Sequence, residues 1–170
     1  MRIATWNVNS IRARQDRVSA LLERENLDVL AIQETKCRPE QFPYEPFTAA
    51  GYEVAVHGAN QWNGVAIISR VGLEDVQRDF PAQPAYANPG KEPVVEPRAL
   101  SATCGGVQVF SLYVPNGREL SHPHYRYKLS WLENLRKYAS SLLEEDPQAQ
   151  LALMGDWNIA PFDQDVWDMQ

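Results

Sequence analysis

A chain of 170 residues, 44% of them hydrophobic, suffices for one domain with a continuous core, and no apolar run in it is long enough to span a bilayer. Its N-terminus, MRIATWNVNS, enters a strand-like pattern without the basic head and apolar centre of a secretory leader, so a cytoplasmic location is expected. Cys37 and Cys104 are too few for a disulfide framework and match no zinc spacing, and the net charge of −6 argues against a uniformly phosphate-binding surface, although Arg12, Arg14, Arg17, Lys36 and Arg38 gather near the motifs below.

In chain order, RIATW (2–6) reads as a strand. Asn9 and Ser10 then form an N-cap pair for a helix over 11–25, with Val18, Leu21 and Leu22 on one face and an end near Asn26. LDVLAIQ (27–33) reads as a buried strand, and YEVAVH (52–57) and GVAIISR (64–70) as two more joined by the turn-rich GANQWN. The proline-rich segment 81–97 has no periodicity and reads as a long loop of the kind that lines binding sites. RALSATC and VQVFSLYV form a hairpin about Gly105-Gly106. Residues 124–145, with Leu129, Leu132, Leu135 and Leu142 in a stripe, read as a second long helix, and QLALMG (150–155) as a last strand. Strands interleaved with amphipathic helices predict a layered α/β domain.

Four of these strands end in oxygen-bearing or amide side chains: Asn7, Glu34, Tyr113, and Asp156 with Asn158. Side chains alternate along a strand, so Ile3, Thr5 and Asn7 share a face, as do Leu30, Ile32 and Glu34, and Ala152, Met154, Asp156 and Asn158. Rows of this kind predict a common core whose open mouth carries the polar groups. Glu34 and Asp156 are the carboxylates magnesium needs, Asn7 and Asn158 are neutral partners, and Tyr113 can steady a phosphate, so metal-assisted attack on a phosphate ester is the expected chemistry.

TWNVNSIRAR, AIQETK, NGVAIISR, LYVPNG and GDWNIAP, in this order, resemble the successive motifs of the exonuclease III family of DNA-repair nucleases and abasic-site endonucleases, within the endonuclease/exonuclease/phosphatase superfamily. The resemblance implies a DNase I-like four-layer α/β sandwich, two mixed sheets face to face with helices outside. It implies a Mg2+-dependent enzyme, with Mn2+ as an alternative, that cuts double-stranded DNA 5′ to abasic sites and degrades it from 3′ ends. By the same resemblance Glu34 is the principal metal ligand, and Asn7 supports the metal and orients the site. Tyr113 acts at the phosphate, Asp156 activates the nucleophile, and Asn158 holds the scissile phosphate. Arg98, Asn116 and Arg118 are placed along the DNA backbone. Trp62 and Asn63, where that family varies, receive no role.

Members of that family continue into a further Asp, a tryptophan-like side chain and a closing Ser-Asp-His motif, none of which follows here. His57, His122 and His124 lie in no Asp-His pair, and the last two read as helix-entry surface residues. The expectation is an incomplete domain over 1–170, lacking part of the second sheet, with little activity of its own and an open apolar face that favours self-association. Asp163, Asp165 and Asp168 would lie in the connection beyond Asn158, with Val166 and Trp167 packing against the remainder. Two other functions fit the same residues: a superfamily phosphodiesterase acting on RNA or a phosphoinositide, and a non-catalytic DNA-binding fragment.

Overall fold

The computed structural model describes residues 1–166, so Trp167 and Asp168 lie outside the described residues. Strand β1 (Ile3–Asn7) pairs in parallel with β2 (Val29–Gln33), β2 in antiparallel with β4 (Val65–Ser69), and β4 with β3 (Glu53–His57), giving a sheet of order β1-β2-β4-β3. The second sheet, β5-β6-β7-β8, joins β5 (Glu74–Arg78), β6 (Ala99–Cys104), β7 (Val107–Tyr113) and β8 (Leu151–Asp156), the last pair being parallel. Both sheets are mixed, as expected, and they stack face to face.

Three apolar layers hold the stack together. Val29, Val65 and Ile67 of the first sheet meet Leu100, Ala102, Cys104 and Val109 of the second in the central layer. Helix α1 (Gln15–Arg24) and the short α2 (Glu45–Ala49) cover the outer face of the first sheet through Val18, Leu22 and Phe47. Helix α3 (Pro123–Glu145) covers the second through Tyr127, Trp131 and Leu135. The result is the expected four-layer sandwich. A polar bolt crosses its centre, where buried Gln33 donates to Ser111 Oγ at 3.0 Å and Ser111 donates to the Ile32 carbonyl at 2.9 Å. Both groups are satisfied in full burial, which fixes the register of one sheet on the other.

Several expectations need correction. Helix α1 starts at Gln15 rather than residue 11, because the N–H groups of Ser10 and Ile11 donate to the carbonyls of Glu34 and Thr35 and tie that stretch to the chain beyond β2. Asn9 and Ser10 have φ of 43° and 89° and make a bend, while Arg14 stands at the N-cap without a side-chain capping bond. Leu129 is 48% exposed; the buried stripe of α3 runs instead through His124, Tyr127, Lys128, Trp131 and Leu135. Strand β5, of sequence EDVQR and mostly exposed, has no apolar alternation by which it could be read. Helix α2, spanning only Glu45–Ala49, likewise gave no periodic signal.

β1 pairs only with β2 and β8 only with β7 among the described residues, so the sandwich is open along that side. Ile3, Ala152 and Met154 are half-buried there against the central layer. Asp163–Asp165 form an exposed 3-10 turn, and Val166 is 38% exposed. No helix among the described residues is long and apolar enough to cross a membrane.

Candidate active site

The strand ends on this open side converge. At the end of β1, the Asn7 amide nitrogen donates to Glu34 Oε1 at 2.9 Å and to Asp156 Oδ2 at 2.8 Å, so one amide ties a residue following β2 to the last residue of β8. Asn7 Oδ1 accepts from the Asn9 N–H at 3.0 Å, which fixes which end of the amide faces the carboxylates.

Glu34 reaches this point by a route other than strand alternation. Leu30 and Ile32 point outward into the layer under α1, whereas Val29 faces the other sheet and Gln33 bonds across to it. Alternation would carry Glu34 to the helix side with Leu30 and Ile32 if the strand continued. It stops at Gln33, and Glu34 takes φ of 54°, turning its side chain into the mouth. Lys36, Asn9, Arg118 and Asn158 also have positive φ. Such backbone costs energy in non-glycine residues and gathers where function demands it.

Glu34 Oε2 pairs with Lys36 Nζ at 2.9 Å. Burial pushes the Glu34 carboxyl up, but hydrogen bonds from Asn7, Lys36 and Tyr113 and the Lys36 charge outweigh it and hold the group below its ordinary 4.5. Tyr113, at the end of β7, is pushed well above its ordinary 10.0 by burial and then by its bond to Glu34, so it remains a neutral O–H donor.

Asp156 Oδ1 accepts from the Asn158 N–H at 2.9 Å, an Asx-type turn that closes the loop after β8. Asn158 Nδ2 donates to the Val114 carbonyl at 2.9 Å, and its Oδ1 accepts from Asn116 Nδ2 at 3.4 Å. Gly155 makes the placement of Asp156 possible. A Cβ there would stand 1.9 Å from the Leu112 carbonyl oxygen of β7, and its φ is +151°.

Asn116 and Arg118 are exposed beside this centre, with the Arg118 N–H donating to Asn116 Oδ1 at 2.7 Å. Arg98 is placed differently from a free backbone-binding cation. It is 7% exposed, donates from Nε to Glu96 Oε2 at 2.7 Å, and holds its guanidinium 4.8 Å from the Tyr113 ring centre. Its charge is neutralised by Glu96, and it braces Tyr113. Arg98, Tyr113, Asn116 and Arg118 all line one groove of about 910 Å³.

Three residues here were not singled out from sequence. Lys36 bonds Glu34; Lys128 of α3 donates to the Asn158 carbonyl. His124, far from being surface, is 5% exposed, packs edge-on against Tyr86 with 4.6 Å between ring centres, and bonds the Asn116 carbonyl through Nδ1. It anchors the loop that carries Asn116. A lysine and a histidine on the apolar stripe of α3 were the available signal, since buried charge and imidazole require a partner.

The donor set consists of oxygens. No cluster of three or more His, Cys, Asp or Glu residues suited to a metal occurs among the described residues. Two converging carboxylates with an amide between them fit a hard cation that keeps several waters and takes one or two carboxylates from protein, and do not fit zinc.

Residues 4–170 match the model of the Endonuclease/Exonuclease/phosphatase family. Exodeoxyribonuclease III of Haemophilus influenzae is 30% identical over 167 residues, covering 98% of this chain and 60% of the relative. Among solved structures, the 3′ phosphatase NExo from Neisseria bound to a product DNA hairpin superposes with a TM-score of 0.84 at 36% identity, covering 99% of this chain and 62% of that one. An AP endonuclease from Archaeoglobus fulgidus gives a TM-score of 0.81 at 37% identity, covering 99% and 62%. The chain therefore spans about 60% of the length of the relatives it matches.

Proposed function

We propose, for a chain that belongs to the endonuclease/exonuclease/phosphatase family, metal-dependent hydrolysis of DNA phosphodiesters, of the exodeoxyribonuclease III and abasic-site endonuclease type used in base excision repair. The observation that carries the reading is the single Asn7 amide joining Glu34 and Asp156 at 2.9 and 2.8 Å. It draws together two carboxylates that would otherwise repel, and Tyr113, bonded to Glu34, lines a groove with exposed Asn116 and Arg118 on its wall.

Glu34 and Asp156 would hold a divalent cation, Mg2+ with Mn2+ as an alternative, and Asn7 and Asn158 would support it. The cation would neutralise charge developing on the phosphate. Asp156, oriented by the Asn158 N–H, would take the proton of the attacking water. Tyr113, neutral and braced by Arg98, would donate a hydrogen bond from its hydroxyl to a phosphate oxygen. Asn158, held by Val114 and Asn116, would position the scissile phosphate. Asn116 and Arg118 would contact the backbone of double-stranded DNA on either side, at an abasic site or a 3′ end. The setting is cytoplasmic. Among the described residues β1 and β8 each pair on one side only, with Ile3, Ala152 and Met154 half-buried on them, which supports self-association through that open apolar face; sedimentation over a concentration series tests it.

The chain is incubated with abasic-site duplex and 3′-recessed duplex, with and without Mg2+, beside Glu34→Gln. Product that requires the metal and disappears in Glu34→Gln supports the reading. Equal product from both proteins overturns it. A rise in melting temperature on adding Mg2+, absent in Glu34→Gln, is the readout independent of turnover. Duplex binding without product would instead support a non-catalytic binder.

A further inference from the structure

We propose that Trp62 is a base-stacking platform at the mouth of the groove, where it holds an unpaired nucleobase of the DNA beside the Tyr113 centre; the inference rests on the DNA reading above.

Trp62 is 70% exposed, the most exposed of the large aromatic side chains among the described residues, on the turn between β3 and β4. An indole left in water forgoes substantial burial energy. Its position is nevertheless fixed. The Trp62 N–H donates to Asn60 Oδ1 at 2.9 Å, the carbonyl of the next residue, Asn63, accepts from the Lys36 N–H at 2.9 Å, and Gly64 N–H donates to the Pro97 carbonyl at 3.2 Å. Lys36 is itself the ion-pair partner of Glu34. The indole thus stands one residue from backbone that is pinned to the candidate metal-binding strand end.

Trp62 lines the same groove as Tyr113, together with Lys91 and Arg118. An aromatic face beside exposed cations is the combination that binds single-stranded nucleic acid without reading sequence, because every base offers a π-face and every linkage a phosphate. Asn63 adds a second feature. It lines the groove, is 1% exposed, and its buried Oδ1 has no hydrogen-bond partner among the described residues, an unsatisfied acceptor in the groove wall. Val94 and Val95, 57% and 46% exposed, supply apolar surface to the same groove. An unpaired base, rather than a paired one, offers both a free face and a free edge.

The test titrates the full chain, in EDTA so that nothing is hydrolysed, with a blunt duplex and with the same duplex carrying a frayed, unpaired 3′ end. The expected result is quenching of tryptophan emission by the frayed duplex and an affinity for it that falls about tenfold in Trp62→Ala and less than about threefold in Trp62→Phe, with blunt-duplex affinity unchanged. Thermal melting of both variants should match wild type, since the side chain is exposed. Binding of the frayed duplex by Trp62→Ala as tightly as by wild type, or no binding by wild type, overturns the proposal. Trp62-dependent binding without metal-dependent hydrolysis would sink the nuclease reading and leave the platform standing. Hydrolysis with Trp62-independent binding would sink the platform alone.

Discussion

Asn7 on β1 donates to Asp156 on β8 across a sequence separation of 149 residues, at 2.8 Å. The bond closes the open side of the sandwich where β1 and β8 both end in polar side chains. Asn7→Ala would remove donors from two partly buried carboxylates at once and leave them to repel. Its cost is expected at about 2 kcal/mol in unfolding experiments without divalent metal, with hydrolysis reduced about a hundredfold. Asn7→Asp should be worse in both measurements, because it adds a third negative charge. Stability unchanged in Asn7→Ala would show that the bridge is incidental.

Gly155 permits no side chain. The nearest obstacle to a Cβ is backbone, the Leu112 carbonyl oxygen at 1.9 Å, and β7 is held between β6 and β8 and cannot yield. Gly155→Ala should therefore destabilise the chain by about 3 kcal/mol and displace Asp156. Denaturant unfolding measures the first effect. Loss of the Mg2+-dependent rise in melting temperature in whatever protein remains folded measures the second.

Tyr113 is a donor and not a titrating base. Burial and its bond to Glu34 keep its pKa above the ordinary 10.0, so no alkaline limb of a pH–rate profile below that value should arise from it. Tyr113→Phe is expected to lower turnover about a hundredfold with the shape of the profile unchanged. An alkaline limb present in wild type and absent in Tyr113→Phe would contradict the assignment.

Much of this arrangement was legible in the sequence because short apolar strands ended in Asn, Glu, Tyr and Asp, and period-two alternation put Asn7 and Asp156 on rows facing a common core. Glu34 is the instructive exception. Alternation alone puts it on the face of Leu30 and Ile32, which turned out to be the helix side, and only a left-handed backbone turn brings it to the mouth. Pattern reasoning cannot see a single φ. Arg98, placed along the DNA backbone by the resemblance, could not be read as a brace, since its neutralisation depends on how Glu96 folds back onto it. Strand β5 was invisible because its residues are mostly exposed and pair through backbone alone. Lys128 and His124 were hidden for the opposite reason: helix periodicity places them on the buried face, yet their partners, the Asn158 and Asn116 carbonyls, come from loops that carry no periodic signal.

The acid side of the stability curve tests Glu34 directly. Burial alone would raise its pKa, but the bonds from Asn7, Lys36 and Tyr113 win, and the folded value lies below the ordinary 4.5. The folded chain therefore releases this proton at lower pH than the unfolded chain does. The stabilisation is fully present above the unfolded value and is lost as pH falls through the folded one. Asp28, lowered by hydrogen bonds from Arg2 and Arg70, produces a slope of the same sign in any variant, so the informative quantity is a difference between two proteins. Melting temperatures of wild type and Glu34→Gln, measured without metal between about pH 3 and pH 6, should converge as the pH falls. Wild type should hold its advantage at the upper end, where its charged carboxylate keeps Lys36 paired. A constant gap across the range would mean that Glu34 titrates alike in both states, and the hydrogen bonds assigned to it would then contribute nothing to folding.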